Sequence, residues 1–362
     1  MENSNKKILY LESLRGIAAL MVAISHFRID SHIFQNQFIG NSYLWVDFFF
    51  VLSGFVIALN YQLRINNLQS LYLFQAKRFL RLYPLHFILL IIFLCLEYVE
   101  LYKEIYTNDI GIAQSFSINT SFAFWHNIFL THSLFLDNVS WNYPSWSISA
   151  EFYTYLLFGL MMLFTRSNFR FTLYSSSILI AISFFMLLNT SMDTSQGFIR
   201  CIYSFFMGVI VFNLNSKFPI KVSPLFSYLF FLIALLGINF SGPSDAVGIN
   251  ILMPIIFSFL IFSLLSSKPN NKLKNFLRLK FLIFLGAISY SIYMLHAFIW
   301  RLISVILRYV FGIESSDNLA MVTNNEFLSG AILFISVIVL IIASNLSYKY
   351  IELKFNALRK HL

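Results

Sequence analysis

Ten stretches of this chain run apolar for about the length that crosses a bilayer. Each such stretch commits its backbone to helix, because hydrocarbon offers no water to satisfy a free N–H or C=O. The stretches are approximately 9–29, 42–61, 82–102, 145–165, 171–189, 198–214, 225–240, 249–265, 281–300 and 327–346. A transmembrane barrel would instead alternate apolar and polar residues over segments of about ten; these runs are longer and continuous. The predicted fold class is therefore all-α: a polytopic membrane protein with about ten transmembrane helices. It reads as a single membrane domain over 1–362 with a basic tail over 347–362. Segment 122–136 is apolar but short and carries Trp125, His126 and His132, which suits an interfacial or re-entrant element.

Composition excludes the rival classes. The 362 residues are 58% hydrophobic and 11% charged, with mean hydropathy +0.73. A soluble domain has about 45–50% apolar and about 25% charged residues, so too few charges exist here to cover a water-soluble surface. Disorder is excluded by the abundance of Phe and Ile. The net charge of +9 would suggest nucleic acid in a soluble protein; in a membrane protein it marks cytoplasmic loops, and no nucleic-acid partner is expected. Cys95 and Cys201 both fall in apolar runs, which leaves neither a disulfide framework nor a zinc site; no metal is expected. The polar N-terminus runs into an apolar stretch with no small-residue cleavage site, so it reads as a first transmembrane helix and not a removable signal.

Loop charge sets the expected orientation. With the N-terminus inside, the inner segments hold 19 of the 25 basic residues, Lys6, Lys7 and Lys360 among them. The outer side receives Arg28, Lys103, Arg301 and Arg308, while Arg15 and Arg200 fall within spans. That split predicts both termini inside and a tail lying on the inner leaflet.

Ionisable groups at membrane depth are costly and mark functional sites by default. Arg15 and His26 are eleven residues apart. At 100° per residue they lie on one stripe of a helix, about 16 Å apart. An imidazole is a natural general base for a hydroxyl nucleophile; an arginine binds phosphate or fixes a carboxylate. The competing reading is an Arg snorkelling inward and a His at the outer interface. Asp47 stands beside three consecutive Phe and should face inward, pairing with Arg15 or orienting His26; a helix-start carboxylate is the plainer alternative. Gly54 reads as a close helix contact. Lys77, Arg78 and Arg81 form a basic stretch at the inner side, suited either to a polyphosphate ligand or to anionic lipid. Ser149 and Glu151 read as a small polar cluster near the outer side, suited to acceptor hydroxyls or to the start of the helix. Tyr293 and His296 sit at i,i+3 near the outer boundary, as a site or as an interfacial aromatic belt. His86, His126 and His132 read as interface histidines.

Taken in order, these residues resemble acyltransferase family 3, the integral-membrane acyltransferases that modify bacterial surface polysaccharides and other acceptors. The resemblance rests on Leu14-Arg15-Gly16 with ten residues between Arg15 and His26, on Val46-Asp47-Phe48-Phe49-Phe50-Val51-Leu52-Ser53-Gly54-Phe55, and on Phe74…Arg78…Arg81…Pro84. Further matches are Trp146-Ser147-Ile148-Ser149-Ala150-Glu151, Arg200…Phe205-Phe206-Met207-Gly208, Leu285 to His296, and the ending Tyr350-Ile351-Glu352. Leu353 stands where the family commonly has proline, and Phe152 where a second carboxylate is frequent.

The resemblance implies an acyl donor, most often acetyl-CoA, arriving from the cytoplasm, and a glycan hydroxyl as acceptor at or beyond the outer side. It implies His26 as the catalytic histidine with Arg15 its motif partner, and Arg78 and Arg81 near the donor's phosphates. Arg200 is a candidate cation for the developing oxyanion. The expected protein is a multi-pass O-acetyltransferase of the bacterial inner membrane, in the lipid bilayer and working beside polysaccharide-biosynthesis proteins. A secondary transporter would also place Arg, His and Asp in its spans, but should show repeat symmetry, and none is visible. A polysaccharide export or polymerase protein should offer a longer external loop than 103–144 and lack the Arg15/His26 stripe.

Overall fold

The computed structural model describes residues 8–27, 29–30, 36–107, 114–243, 246–313, 321–323 and 325–359. Lys6, Lys7, Arg28 and Lys360, used above for orientation, lie outside the described residues. The helices in chain order are α1 (Leu9–Ser25), α2 (Gln37–Gly40), α3 (Trp45–Tyr61), α4 (Leu68–Thr107), α5 (Ser121–Ile128), α6 (His132–Phe135), α7 (Trp146–Thr165) and α8 (Phe169–Leu188). Then follow α9 (Gly197–Lys217), α10 (Pro224–Phe240), α11 (Met253–Ser266), α12 (Lys272–Phe276), α13 (Lys280–Ala287), α14 (Ser289–Tyr309), α15 (Glu326–Ser347) and α16 (Leu353–Leu358). A π turn over Tyr348–Glu352 joins α15 to α16. Two residues of extended chain, Ile29–Asp30, pair in parallel with Met321–Val322.

Among the described residues, seven segments are long and apolar enough to cross a membrane; Pro224–Phe240 and Asn250–Ser266 are shorter apolar helices. The fold is all-α and polytopic, as predicted. α8 shows why water is the wrong solvent. Its exposed face carries Phe171, Tyr174, Ile178, Ile182 and Phe185, while Thr172, Ser176 and Ser183 are buried. Apolar side chains outside with small polar ones inside reverse the soluble pattern and suit a helix facing lipid.

α3 and α9 form the centre of the bundle. They approach so closely that a Cβ at Gly54 would collide with the Phe205 carbonyl oxygen, and one at Gly208 with that of Val51. Gly54 is thus the close helix contact expected of it.

One predicted span is divided. The stretch 281–300 reads as continuous, but the helix breaks at Ile288 into α13 and α14. The cause lies in α1. Gly16 and Gly286 bring α13 against α1, where a Cβ on Gly16 would lie 2.5 Å from the Gly286 nitrogen. The Gly286 carbonyl accepts hydrogen bonds from Ser289 Oγ at 2.9 Å and Arg15 Nη2 at 2.9 Å. Side chains, not a continuing helix, serve the break.

α4 is longer than its predicted span 82–102. Its 40 residues extend about 60 Å, so the basic stretch around Arg78 is the first half of the same rod. Against its middle, where His86 meets the Asn127 carbonyl, α5 and the residue after it present Phe122, Trp125 and Phe129 outward, each more than half exposed.

Candidate active site

Polar side chains occupy two levels of the bundle. α1 runs between them, with Arg15 at the level of Arg78 and Arg81 (the basic end) and His26 at its far end.

At the far end, His26 follows the last residue of α1. Its Nδ1–H donates to the Val22 carbonyl at 2.9 Å, since a carbonyl can only accept. That choice leaves Nε2 with the lone pair. The ring stacks on His296 at 5.1 Å between centroids and 17° between planes, and Tyr143 packs tilted at 5.1 Å. His296 is fully buried, and neither of its ring nitrogens has a hydrogen-bond partner among the described residues. A buried imidazole left this way is costly unless something else reaches it. Tyr293, one turn below, donates to the Pro144 carbonyl at 3.1 Å and accepts from Ser147 Oγ at 2.8 Å. The predicted stripe holds: Arg15 meets Ser289, and His26 meets His296, two turns further along α14.

Beside this pair lies a buried ion pair. Arg200 Nη2 donates to Asp47 Oδ2 at 2.8 Å, with side chains 2% and 0% exposed. Ser204 Oγ donates to the other carboxylate oxygen at 3.3 Å. Asp47 faces inward as expected, but its partner is Arg200, not Arg15, and its described hydrogen bonds do not reach His26. α3 and α9 are locked together by their glycines, which places the carboxylate of one against the guanidinium of the other. Arg200 also lies over the Trp146 ring at 5.5 Å. Arg200 thus braces Trp146 through its pair with Asp47, while its buried Nε has no partner among the described residues.

At the basic end, Arg15 donates from Nε to Ser289 Oγ at 2.8 Å and from Nη2 to Glu12 at 2.8 Å. Arg78 is buried; its Nη2 donates to Tyr61 Oη at 3.1 Å, its guanidinium carbon lies over that ring at 5.1 Å, and its Nε has no partner among the described residues. Arg81 is half-buried within electrostatic reach of Glu12, Glu151, Glu352 and Tyr155. Lys77 is half-buried on the adjoining face.

Glu151 belongs to this level. It accepts from Ser53 Oγ, which also bonds Tyr155 Oη at 2.8 Å. Ser149 points elsewhere, donating to the Leu130 carbonyl at 2.5 Å and accepting from Ser133 N–H at 3.0 Å. The single outer cluster expected of Ser149 and Glu151 is thus two. Residues two apart on a helix stand about 200° apart, so one side chain cannot follow the other. Nor are all the remaining histidines interfacial: His86 and His132 are buried and stack on each other at 5.7 Å.

Sequence reading passed over several residues of this arrangement. Tyr143 had no signal beyond its place before Pro144. Ser53 and Tyr155 look like ordinary helix residues. Glu352 accepts from Ser291 Oγ at 2.5 Å, from a π turn that no local pattern announces.

The family described as an acyltransferase domain matches residues 8–346, nearly all of the helices above. The chain belongs to acyltransferase family 3. It is a multi-pass membrane protein of that family. Among curated proteins, "Protein 2 in picA locus" of Rhizobium radiobacter is 36% identical over 100 residues, covering 25% of this chain and 48% of that protein. The chain therefore spans about half the length of this curated relative. No solved structure matches the chain. The paired His26 and His296 stand at one level of the bundle and Arg15, Arg78 and Arg81 at the other.

Proposed function

We propose that this membrane acyltransferase moves an acetyl group from acetyl-CoA to a hydroxyl of a cell-surface or lipid-linked polysaccharide. The observation that carries the reading is His26, which stacks on the buried His296 and whose Nδ1–H donates to the Val22 carbonyl, so that in the neutral ring the basic lone pair lies on Nε2. The acceptor hydroxyl attacks the thioester carbonyl as His26 Nε2 takes its proton. The new C–O bond forms, the C–S bond breaks, and the proton passes from His26 to the departing thiolate.

Arg78 and Arg81 are the donor's phosphate ligands in this reading. The unpartnered Arg78 Nε and the nearby Arg359, which the fold brings within electrostatic reach of both, support it, since guanidinium groups bind phosphate with directed hydrogen bonds. The donor's pantetheine arm runs from this basic end past Ser53 and Glu151 to His26, a rise of about 16 Å along α1. Arg15 is a positioning residue: it ties α1 to the α13–α14 break and so sets where His26 meets His296. His296, with both nitrogens unpartnered, is a substrate contact.

We place the protein in the bacterial inner membrane with both termini cytoplasmic, as one membrane domain with its basic tail on the inner leaflet, beside polysaccharide-biosynthesis proteins. The test is deletion of the gene, with surface-glycan acyl groups read by NMR. The expected result is loss of one O-acyl resonance, restored by the wild-type gene and not by His26→Ala. Unchanged acylation on deletion contradicts the proposal.

A further inference from the structure

α8 and α11 both pack against α9, and between them they leave a furrow of about 300 Å³ on the outside of the bundle. Ile180 and Phe184 of α8 form one wall and Ile255 of α11 the other, with Tyr203, Met207 and Ile210 of α9 as the floor. We infer that this furrow is a lipid site: it holds one acyl chain of an anionic phospholipid, whose headgroup phosphate rests on Arg170 and Lys217. The inference stands apart from the acyl-transfer reading and uses none of its residues.

Three observations carry it. The first is what the furrow faces. Ser177, Ala181 and Phe185 at its α8 edge are exposed, on a helix whose outward face is aromatic and aliphatic, so it opens onto hydrocarbon and not onto water. The Tyr203 hydroxyl donates to the Ile251 carbonyl at 3.0 Å, and Ser177 is the only other polar side chain of the lining. A run of methylenes suits such walls; a headgroup, which needs hydrogen-bond partners, does not. The second is size. The lining extends from Ser177 to Phe185 on α8 and from Tyr203 to Ile210 on α9, about 11 Å along the helices. Spread over that length, the volume gives a cross-section of about 27 Å², a third of the roughly 80 Å² that a helix about 10 Å across would need. The furrow admits a single flexible chain and not a partner helix.

The third is charge at one end. Arg170 stands seven residues before Ser177 on α8, and Lys217 seven after Ile210 on α9. At about 100° per residue, seven positions fall about 20° short of two turns, so both cations continue the faces that line the furrow, about 10 Å beyond its end. The Lys217 ammonium lies over the Phe169 ring at 5.8 Å, which sets it beside Arg170. Both cations are exposed, and neither forms an ion pair among the described residues. This is the basic end of the bundle: Ser167, just before α8, donates to the Gln62 carbonyl just past α3. Two cations followed by an apolar furrow match the order of phosphate and chain in an anionic phospholipid. A chain seated there braces α8 against Tyr203, the neighbour of the Ser204 that bonds Asp47.

The test uses the full-length protein in detergent, offered phosphatidylglycerol or phosphatidylcholine with matched chains and followed by native mass spectrometry. The wild type should retain one phosphatidylglycerol and bind it about thirtyfold more tightly than phosphatidylcholine, about fivefold for each cation at the headgroup. Arg170→Ala with Lys217→Ala should abolish that preference and leave phosphatidylcholine binding unchanged. Ala181→Trp, on the exposed edge, should fill the furrow and lose the retained lipid of either kind. These substitutions touch no buried side chain, and the comparison of the two lipids on the wild type stands without them. Equal affinity of the wild type for the two lipids overturns the inference. So does a lipid still retained by Ala181→Trp, or a dimer that Ala181→Trp dissociates, which would make a second copy of the chain the occupant.

Discussion

Removing the charge of Asp47 should destabilise the whole bundle, and removing its partner as well should restore much of the loss. The pair is 2.8 Å apart, with side chains 2% and 0% exposed. At an effective dielectric of 20, opposite charges at that distance attract by about 6 kcal/mol before desolvation is counted. Desolvation offsets most of this when both charges are present, but Asp47→Asn leaves Arg200 buried and unpaired, which costs about 3–5 kcal/mol. The same substitution weakens the footing of Trp146. In nanodiscs followed by thermal melting, Asp47→Asn should lower Tm by roughly 4–7 °C. The double variant Asp47→Leu with Arg200→Met buries no charge and should melt well above either single variant. Singles that melt with wild type, or a double no better than the worse single, would refute the reasoning that this pair is a buried strut.

Two further outcomes follow from the packing and the charges. Gly208→Val should lower the yield of folded protein sharply, because its Cβ meets the Val51 backbone, which no rotamer can relieve; overpacking of this kind costs about 1–3 kcal/mol or more, read as monodispersity after extraction. The stability of the fold should decline as pH drops from about 6.5 towards about 3, because the unfolded chain takes up a proton that buried His132 refuses. His132→Asn should flatten that decline between pH 7 and 5 in thermal melts.

Much of the fold was legible because hydrocarbon imposes one rule on every span. Apolar run length located most of the helices within a few residues, α4 and the divided stretch 281–300 excepted, and the inward turn of Asp47 followed from the cost of a carboxylate in lipid. The 100° arithmetic placed Arg15 and His26 on one stripe, and α14 meets both. The same arithmetic, applied to Ser149 and Glu151, separates them, and the adjacency of their letters concealed it. What the sequence could not carry was partnership between distant residues. Asp47 and Arg200 are 153 positions apart, and nothing local distinguishes Arg200 from another mid-membrane cation such as Arg15. The break at Ile288 was hidden for a related reason. Its residues are as apolar as a span requires, and its cause lies in Gly16 and Arg15 on another helix. The stacking of His86 on His132 likewise depends on how α4 meets the α5–α6 segment, which apolar periodicity does not specify.

The central claim is that His26 accepts the proton of the acceptor hydroxyl. Its most direct test is transfer of radiolabelled acetyl from acetyl-CoA to deacylated polysaccharide by purified protein in nanodiscs, comparing wild type with His26→Gln at matched folding. The expected result is a fall in kcat of about 10²–10⁴-fold, with binding of acetyl-CoA retained. Transfer by His26→Gln at the wild-type rate would contradict it.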